Sequence, residues 1–302
     1  MKKIAVIDLG SNSIRMSIFE ECLPIRVLSS YRKTIKLSEG MTDDMLLKAE
    51  AQMRAALALL EYKKLAEAQN TDLIIAVATA AVRKAKNQSE FLSLVKDLTG
   101  INLLVISGET EASLDRLAIS RTVNLNDAIM CDIGGGSCEL VGISPQRTPM
   151  ISIPHGCRGV TENFFKNSED TNAQKEALAF FDGFLDNVSW LDDFQGTPLI
   201  GIGGTLRTLA KFDLSDSSRS AVESHTVSLD RLNEILDQIA FSDISSRALM
   251  TGIGEERADI ILGGIIILKS IVRHISPPFI TVTDAGLREG ILYDHLEGLG
   301  IL

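Results

Sequence analysis

Short continuous apolar runs alternate along the chain with longer stretches in which apolar residues recur every three or four positions, the pattern of buried strands joined by amphipathic helices. The N-terminal half predicts a strand over Ile4–Leu9, a Gly/Ser turn, a strand through Ile14–Phe19 and an extended stretch from Ile25 to Leu37. Thr42, followed by Asp43 and Asp44, reads as a helix N-cap with acids in the first turn. Met45, Leu46, Ala49, Met53, Ala56, Leu57 and Leu60 then recur at helical spacing, so this helix is expected to run to about Ala68. A buried strand follows at Leu73–Val77, and Asn87 with Glu90 resembles a capping box before the helix through Phe91–Leu98. Strand Ile101–Ile106 and helix Glu109–Ile119 complete the half.

The second half starts again with strand Ala128–Ile133, a Gly/Ser turn and strand Cys138–Ile143. Helices are expected near Gly159–Phe165, Ala173–Trp190, Thr205–Lys211, Leu229–Phe241 and Glu256–His274, with strands at Leu199–Ile202 and Phe279–Thr283. The polar, small-residue stretch Asp213–Glu223 reads as a mobile loop. Asp8, Gly10 and Ser13 recur as Asp132, Gly134 and Ser137, an offset of 124 residues that marks a duplicated half-chain rather than a short repeat. The expectation is an α/β protein of two domains, 1–122 and 123–302, with a last helix, about 286–302, able to pack back on the first.

Composition agrees with that class. The 302 residues are 45% hydrophobic and only 5% aromatic, with 23 Gly, and a chain of this length buries about three quarters of its unfolded surface. Thirty Lys and Arg against 40 Asp and Glu leave −10, so a polyanionic partner has to be held by a local cluster and wrapping of nucleic acid is not expected. The four cysteines form no CxxC pair and read as reduced thiols. The first apolar run stops at Asp8 and the longest, Ile260–Leu268, is far short of the ~20 residues that span a bilayer. A soluble, cytoplasmic protein with no membrane partner is expected.

Three strand-to-turn segments carry the candidate chemistry: Gly10-Ser11-Asn12-Ser13, Gly134-Gly135-Gly136-Ser137 and Gly201-Ile202-Gly203-Gly204-Thr205. Glycine lets backbone amides converge on an oxyanion, and short hydroxyl side chains complete a phosphate cradle. Asp8 and Asp132 end strands facing such loops, where a carboxylate holds Mg²⁺ against phosphate oxygens. Glu139 follows Ser137 by two residues, so both side chains share a strand face and Asp132 and Glu139 are placed to share one cation. Glu109 suits the positive end of a helix, whereas Glu111 is the candidate general base that takes a proton from attacking water. Arg257 opens the last long helix within reach of a ligand, and Asp259 reads as its structural neighbour. The four histidines show no metal-ligand spacing.

Taken together, Asp8-x-Gly-Ser-Asn-Ser13, Ala78-Thr79-Ala80-x-x-Arg83, Ser107-Gly-Glu-x-Glu111-Ala112, Asp132-Ile-Gly-Gly-Gly-Ser137-x-Glu139, Gly156-x-Arg158-x-x-Thr161-Glu162, Gly203-Gly204-Thr205 and Asp284-x-Gly-x-Arg288-Glu-Gly290 resemble the exopolyphosphatase/guanosine pentaphosphate phosphatase (Ppx/GppA) family, in order over nearly the whole chain. The resemblance implies two duplicated ribonuclease-H-like domains of the actin/sugar-kinase/Hsp70 superfamily with an active-site cleft between them. It implies Mg²⁺-dependent hydrolysis of a terminal phosphoanhydride, in inorganic polyphosphate or in guanosine pentaphosphate (pppGpp), by a homodimer. By position Glu111 corresponds to the family's base, and Asp132, Gly134 and Glu139 fall on its metal and phosphate site. Ser11, Asn12, Ser13, Gly203, Gly204 and Thr205 fall on the remaining phosphate loops. Arg83, Arg15 and Arg158 are candidates to bind phosphate oxygens and to stabilise the leaving group.

Two departures from the pattern stand out. Cys138 occupies a position where the family more often has Thr, and the sequence stops at Leu302 without the C-terminal HD-like region of longer members, so long-polymer processivity is not implied. Two other functions share the loops: a kinase or ATPase of the same superfamily, and a non-hydrolytic polyphosphate or (p)ppGpp sensor. Glu111 in its Ser-Gly-Glu-Thr-Glu-Ala setting argues against the kinase, and the presence of Glu111, Asp132 and Glu139 together argues against the sensor.

Overall fold

The computed structural model describes residues 1–41, 44–123, 127–215 and 224–301. The chain begins with strands β1 (Lys3–Leu9), β2 (Ser13–Glu20) and β3 (Arg26–Thr34). Helix α1 (Ala49–Ala68), strand β4 (Leu73–Ala78), helices α2 (Ala80–Lys84) and α3 (Gln88–Thr99), strand β5 (Leu103–Val105) and helix α4 (Gly108–Ser120) follow. The sheet order is β3-β2-β1-β4-β5, antiparallel through the meander and parallel from β1 onward. Strand β1 is buried on both faces, which is why its sequence is a continuous apolar run. Ala5, Ile7 and Leu9 pack with α1 and α3, while Ile4 and Val6 pack elsewhere.

The second set repeats the plan. Strands β6 (Ala128–Ile133), β7 (Cys138–Ile143) and β8 (Met150–Ile153) precede helices α5 (Cys157–Phe164) and α6 (Thr171–Leu185), strand β9 (Leu199–Ile202) and helix α7 (Gly203–Asp213). Strand β10 (His225–Ser228), helices α8 (Leu229–Ala240), α9 (Ile244–Leu249), α10 (Glu255–Ala258) and α11 (Ile261–Ile275) and strand β11 (Phe279–Val282) complete it. The order β10-β11-β9-β6-β7-β8 is the first sheet's order with one antiparallel edge strand added. Two such mixed sheets with helices are the duplicated ribonuclease-H-like α/β fold. The last helix, α12 (Leu287–Gly298), lies with the first set, so the compact units are 1–119 with 287–302, and 120–286. Leu287, Ile291, Leu292 and Leu296 of α12 cover Ile4, Val6, Phe19 and Val77, and Arg288 Nη1 donates to Ser17 Oγ at 2.8 Å.

Several local expectations are corrected. Helix α1 starts at Ala49, not in the low forties: Met45 has a positive φ, and Asp44 accepts from the Leu46 amide and the Lys48 ammonium in a local turn. The expected caps Thr42 and Asp43 lie outside the described residues, as do 216–223 of the expected loop. Met53 and Leu57 of the expected apolar stripe are exposed, whereas Ala56 is buried as expected, with Ala51, Ala55, Ala58, Leu59, Tyr62 and Ala66. Asn87 precedes α3 but forms no capping box, because its side chain bonds both backbone groups of Leu47 at 3.0 Å. The helix expected over Ala173–Trp190 ends at Leu185, where i to i+3 bonds tighten the backbone before a 3₁₀ turn at Ser189–Phe194. The helix expected over Glu256–His274 is two helices, α10 and α11, broken at Asp259–Ile260. Helices α2 and α9 and strands β8 and β10, too short to show a period, were not expected.

Candidate phosphate-binding site

The first unit contributes one loop and one carboxylate. In the β1–β2 hairpin the Gly10 amide donates to the Ser13 carbonyl at 3.1 Å. The Asn12 carbonyl accepts from Ile35 and Lys36, both at 2.9 Å, and that of Ser11 from Ser38 at 3.1 Å, which fixes the loop against the segment leaving β3. The side chains of Ser11, Asn12 and Ser13 are buried. Asp8 is half-buried and pairs in register with Arg15.

Arg83 comes from the short helix α2, which starts where β4 ends. Its Nη1 donates to the Ile106 carbonyl at 2.8 Å and to Glu111 Oε2 at 3.1 Å. Glu111 lies in the first turn of α4, capped by Ser107, whose Oγ accepts from the Thr110 amide at 3.0 Å. The Glu111 side chain is only 10% exposed. A carboxylate oriented by one guanidinium at the positive end of a helix is a fixed proton acceptor in a known direction.

The second unit carries the other loops and two carboxylates. The Gly134 amide donates to the Ser137 carbonyl at 3.0 Å, repeating Gly10 and Ser13. The 124-residue offset also extends across the strands: Asp8 opposes Arg15, and Asp132 opposes Glu139. In this second copy a carboxylate replaces the guanidinium, so two carboxylates stand side by side on one sheet face. Glu139 is buried and its Oε1 accepts from Ser152 Oγ of β8 at 2.7 Å.

The remaining loops close on these residues. The carbonyls of Gly134 and Gly135 accept from the amides of Cys157 and Arg158 at 2.9 and 3.0 Å, so α5 starts on the Gly134–Ser137 turn. Gly203 has φ +83° and abuts the Asp132 carboxylate so closely that a Cβ would overlap it, while Gly204 abuts the Arg257 guanidinium. Thr205 is fully buried and donates to the Ile133 carbonyl at 3.2 Å. Asp132, Glu139, Gly134–Ser137 and Gly203–Thr205 therefore gather in one unit, whereas Ser11–Ser13, Asp8, Arg83 and Glu111 belong to the other. Arg158 is buried and faces Glu162 at 3.6 Å and Asp259 at 3.8 Å. Cys138 is buried in the core, and burial pushes its thiol well above the ordinary range. Sequence reasoning missed Ser152, because β8 is too short to place its register against β7.

Among the described residues no group of three or more His, Cys, Asp and Glu side chains gathers that could hold a metal ion. The Asp132–Glu139 pair fits Mg²⁺ nonetheless, since that ion takes one or two carboxylates and fills its other positions with water and phosphate oxygens. No described helix is long and apolar enough to cross a membrane.

A duplicated ribonuclease-H-like pair of units, each with a Gly/Ser strand-turn-strand loop, defines the class. Residues 16–298 match the Ppx/GppA phosphatase family, and the chain belongs to it. Similar solved structures include an exopolyphosphatase from Cytophaga hutchinsonii, 25% identical over 98% of both chains with a TM-score of 0.91. A Ppx/GppA family member from Aquifex aeolicus is 27% identical over 98% of both chains with a TM-score of 0.79.

Proposed function

We propose that this phosphatase-family protein is an exopolyphosphatase, a Mg²⁺-dependent hydrolase that releases terminal orthophosphate from inorganic polyphosphate, and that it takes the terminal phosphate of pppGpp at the same loops. The observation that carries the reading is the Glu111 carboxylate, buried in the first turn of α4 and oriented by Arg83. It supplies a hydrolytic base that a bare phosphate cradle lacks.

In this reading the terminal phosphate rests on the Gly135–Ser137 and Gly203–Gly204 segments of the second unit, which offset its charge before any bond changes. Thr205, buried and donating to the Ile133 carbonyl, is not part of that cradle, and Ser11–Ser13 is the matching loop of the first unit. Asp132 and Glu139 would hold the cation; Asp8, the counterpart of Asp132 in the first repeat, belongs to the other unit and is not counted as a donor. When bound, Mg²⁺ neutralises charge on the phosphate oxygens. Glu111 accepts the proton of the water that attacks phosphorus in line with the departing oxygen. Arg83 orients that base and is available to phosphate oxygens. We further propose a cytoplasmic homodimer that does not bind nucleic acid.

Phosphate release by the purified protein, with and without Mg²⁺, from long polyphosphate, short polyphosphate and pppGpp tests the reading. Release from polyphosphate that needs Mg²⁺ supports it. Binding of these ligands without release from any would make the protein a sensor.

A further inference from the structure

Behind the two phosphate loops of the second unit lies a charged side chain that none of the motifs contains. Arg247 of α9 is completely buried, and arginine is tolerated there only when its donors are met and its charge paired. Three separate segments meet them. Nε donates to the Ser242 carbonyl at 3.1 Å, Nη1 donates to the Ala258 carbonyl at 3.2 Å, and Nη2 pairs with the Glu169 carboxylate just before α6.

Ala258 is the informative partner. It lies between Arg257 and Asp259, through which this segment touches both loops. Arg257 lies against Gly204 in the first turn of α7. Asp259 faces Arg158 at 3.8 Å, and the Arg158 amide is bonded to Gly135. Helix α10 is only four residues long and is broken from α11 at Asp259–Ile260. A single turn has no helical cooperativity to hold it, so its place is set by what it is fastened to.

We propose that Arg247, paired with Glu169, is a positioning residue: it latches α10 through the Ala258 carbonyl, sets Arg257 against the Gly203–Thr205 loop, and thereby fixes the affinity for the terminal phosphate. The latch rests on the phosphate-binding reading of that loop. Arg247 itself touches no loop residue in the contacts above and acts through Arg257.

Two variants test the latch while keeping the interior filled. R247K retains the charge beside Glu169, but one ammonium cannot span three acceptors in a planar fork. The double variant E169M/R247M replaces the pair, a fully buried arginine and a half-buried glutamate, with apolar side chains, an exchange that buried ion pairs often tolerate. Both are expected to fold, to raise the KM for polyphosphate about 10-fold, as losses of supporting partners do, and to change kcat by less than about 3-fold. In a double-mutant cycle R257A is expected to raise KM by itself, and R247K added to R257A is expected to raise it no further. Independent, multiplying effects of R247K and R257A would overturn the latch. Amide hydrogen exchange gives a readout without substrate: residues 255–260 are expected to exchange faster in R247K while the β6 and β7 amides do not change. Unchanged exchange at 255–260 would also overturn the latch. If the wild type neither hydrolyses nor binds polyphosphate, the functional reading fails, and the exchange result still decides whether Arg247 holds α10.

Discussion

One nitrogen of Arg83 donates to both Glu111 Oε2, at 3.1 Å, and the Ile106 carbonyl, at 2.8 Å. The guanidinium thus ties the proposed base to the end of β5, and the carboxylate cannot turn without breaking that link. Glu111→Gln keeps the volume and an oxygen that can accept from Arg83, but it cannot take a proton. Phosphate release is expected to fall by at least ~10²-fold, with the melting temperature and the binding of polyphosphate little changed. A variant that keeps more than a tenth of wild-type kcat would remove Glu111 from the role of base.

The two adjacent glycines of α7 are expected to respond differently to the same methyl group. At Gly203 the φ of +83° strains any L-residue, and the new Cβ meets the Asp132 carboxylate. At Gly204 the obstacle is the far end of the flexible Arg257 side chain. Gly203→Ala is expected to lower the melting temperature, by at least about 1 kcal/mol of stability, and to abolish phosphate release. Gly204→Ala is expected to melt near wild type and to bind substrate more weakly. Denaturant unfolding with KM measurements on both variants checks the contrast, and equal losses of stability would contradict it.

Much of the fold was legible in the sequence, because the residues that make the turns are also those proposed to carry the chemistry. Asp, Gly and Ser at fixed spacing disclosed the duplication, and the same spacing brings the Gly134 amide onto Ser137 as it brings Gly10 onto Ser13. Strands β1, β6 and β9 showed as apolar runs because both of their faces are buried. What stayed hidden depends on long-range partners. The inner face of α1 is largely alanine, so the larger Met53 and Leu57 suggested the wrong face. Asn87 looked like a cap until its side chain was found on Leu47, 40 residues away. Ser152 and Arg247 are placed by strand register and burial, which one sequence does not display.

Ser152 gives a way to weaken the proposed cation site without removing a carboxylate. Its hydroxyl donates to Glu139 Oε1 at 2.7 Å, a bond that orients the carboxylate beside Asp132. Ser152→Ala is expected to raise the Mg²⁺ concentration for half-maximal phosphate release about 10-fold, with the maximal rate recovered at saturating Mg²⁺. Asp132→Asn is expected to lose activity at every Mg²⁺ concentration, and chelation should abolish wild-type activity reversibly. Magnesium titrations of the three proteins decide the matter, and an unchanged Mg²⁺ requirement in Ser152→Ala would separate Glu139 from the cation.

The cysteines separate by burial. Cys131, Cys138 and Cys157 are buried, and burial holds all three thiols above the ordinary range, whereas Cys22 is partly exposed. The thiolate is the reactive form. A colorimetric thiol reagent is therefore expected to modify Cys22 quickly in the folded protein and the others only on unfolding. Cys138→Thr, which places the hydroxyl more common in the family at a core position, is expected to leave KM unchanged. A fast second thiol would show that the interior beside the Gly134–Ser137 loop opens in the native state.

Acid should loosen α9, the helix that carries Arg247, before it unfolds the sheets. Asp243 caps α9: its carboxylate accepts from the Ser246 amide at 2.6 Å and the Ser245 hydroxyl at 2.7 Å, and these bonds, the amide first, lower its pKa to about 2. Because the folded state holds this proton less tightly than the unfolded chain does, the unfolded chain takes up more protons as pH falls. The carboxylate's contribution is thus fully present above the ordinary aspartate range near pH 4 and is lost as pH drops toward about 2. Asp243→Asn can still cap the helix but has no charge to titrate. Melting temperatures of both proteins between pH 6 and pH 2 are expected to show a wild-type advantage that is constant at the upper end, shrinks below about pH 4 and disappears near pH 2. A gap that persists unchanged at pH 2 would mean that the cap bonds do not set the titration of Asp243.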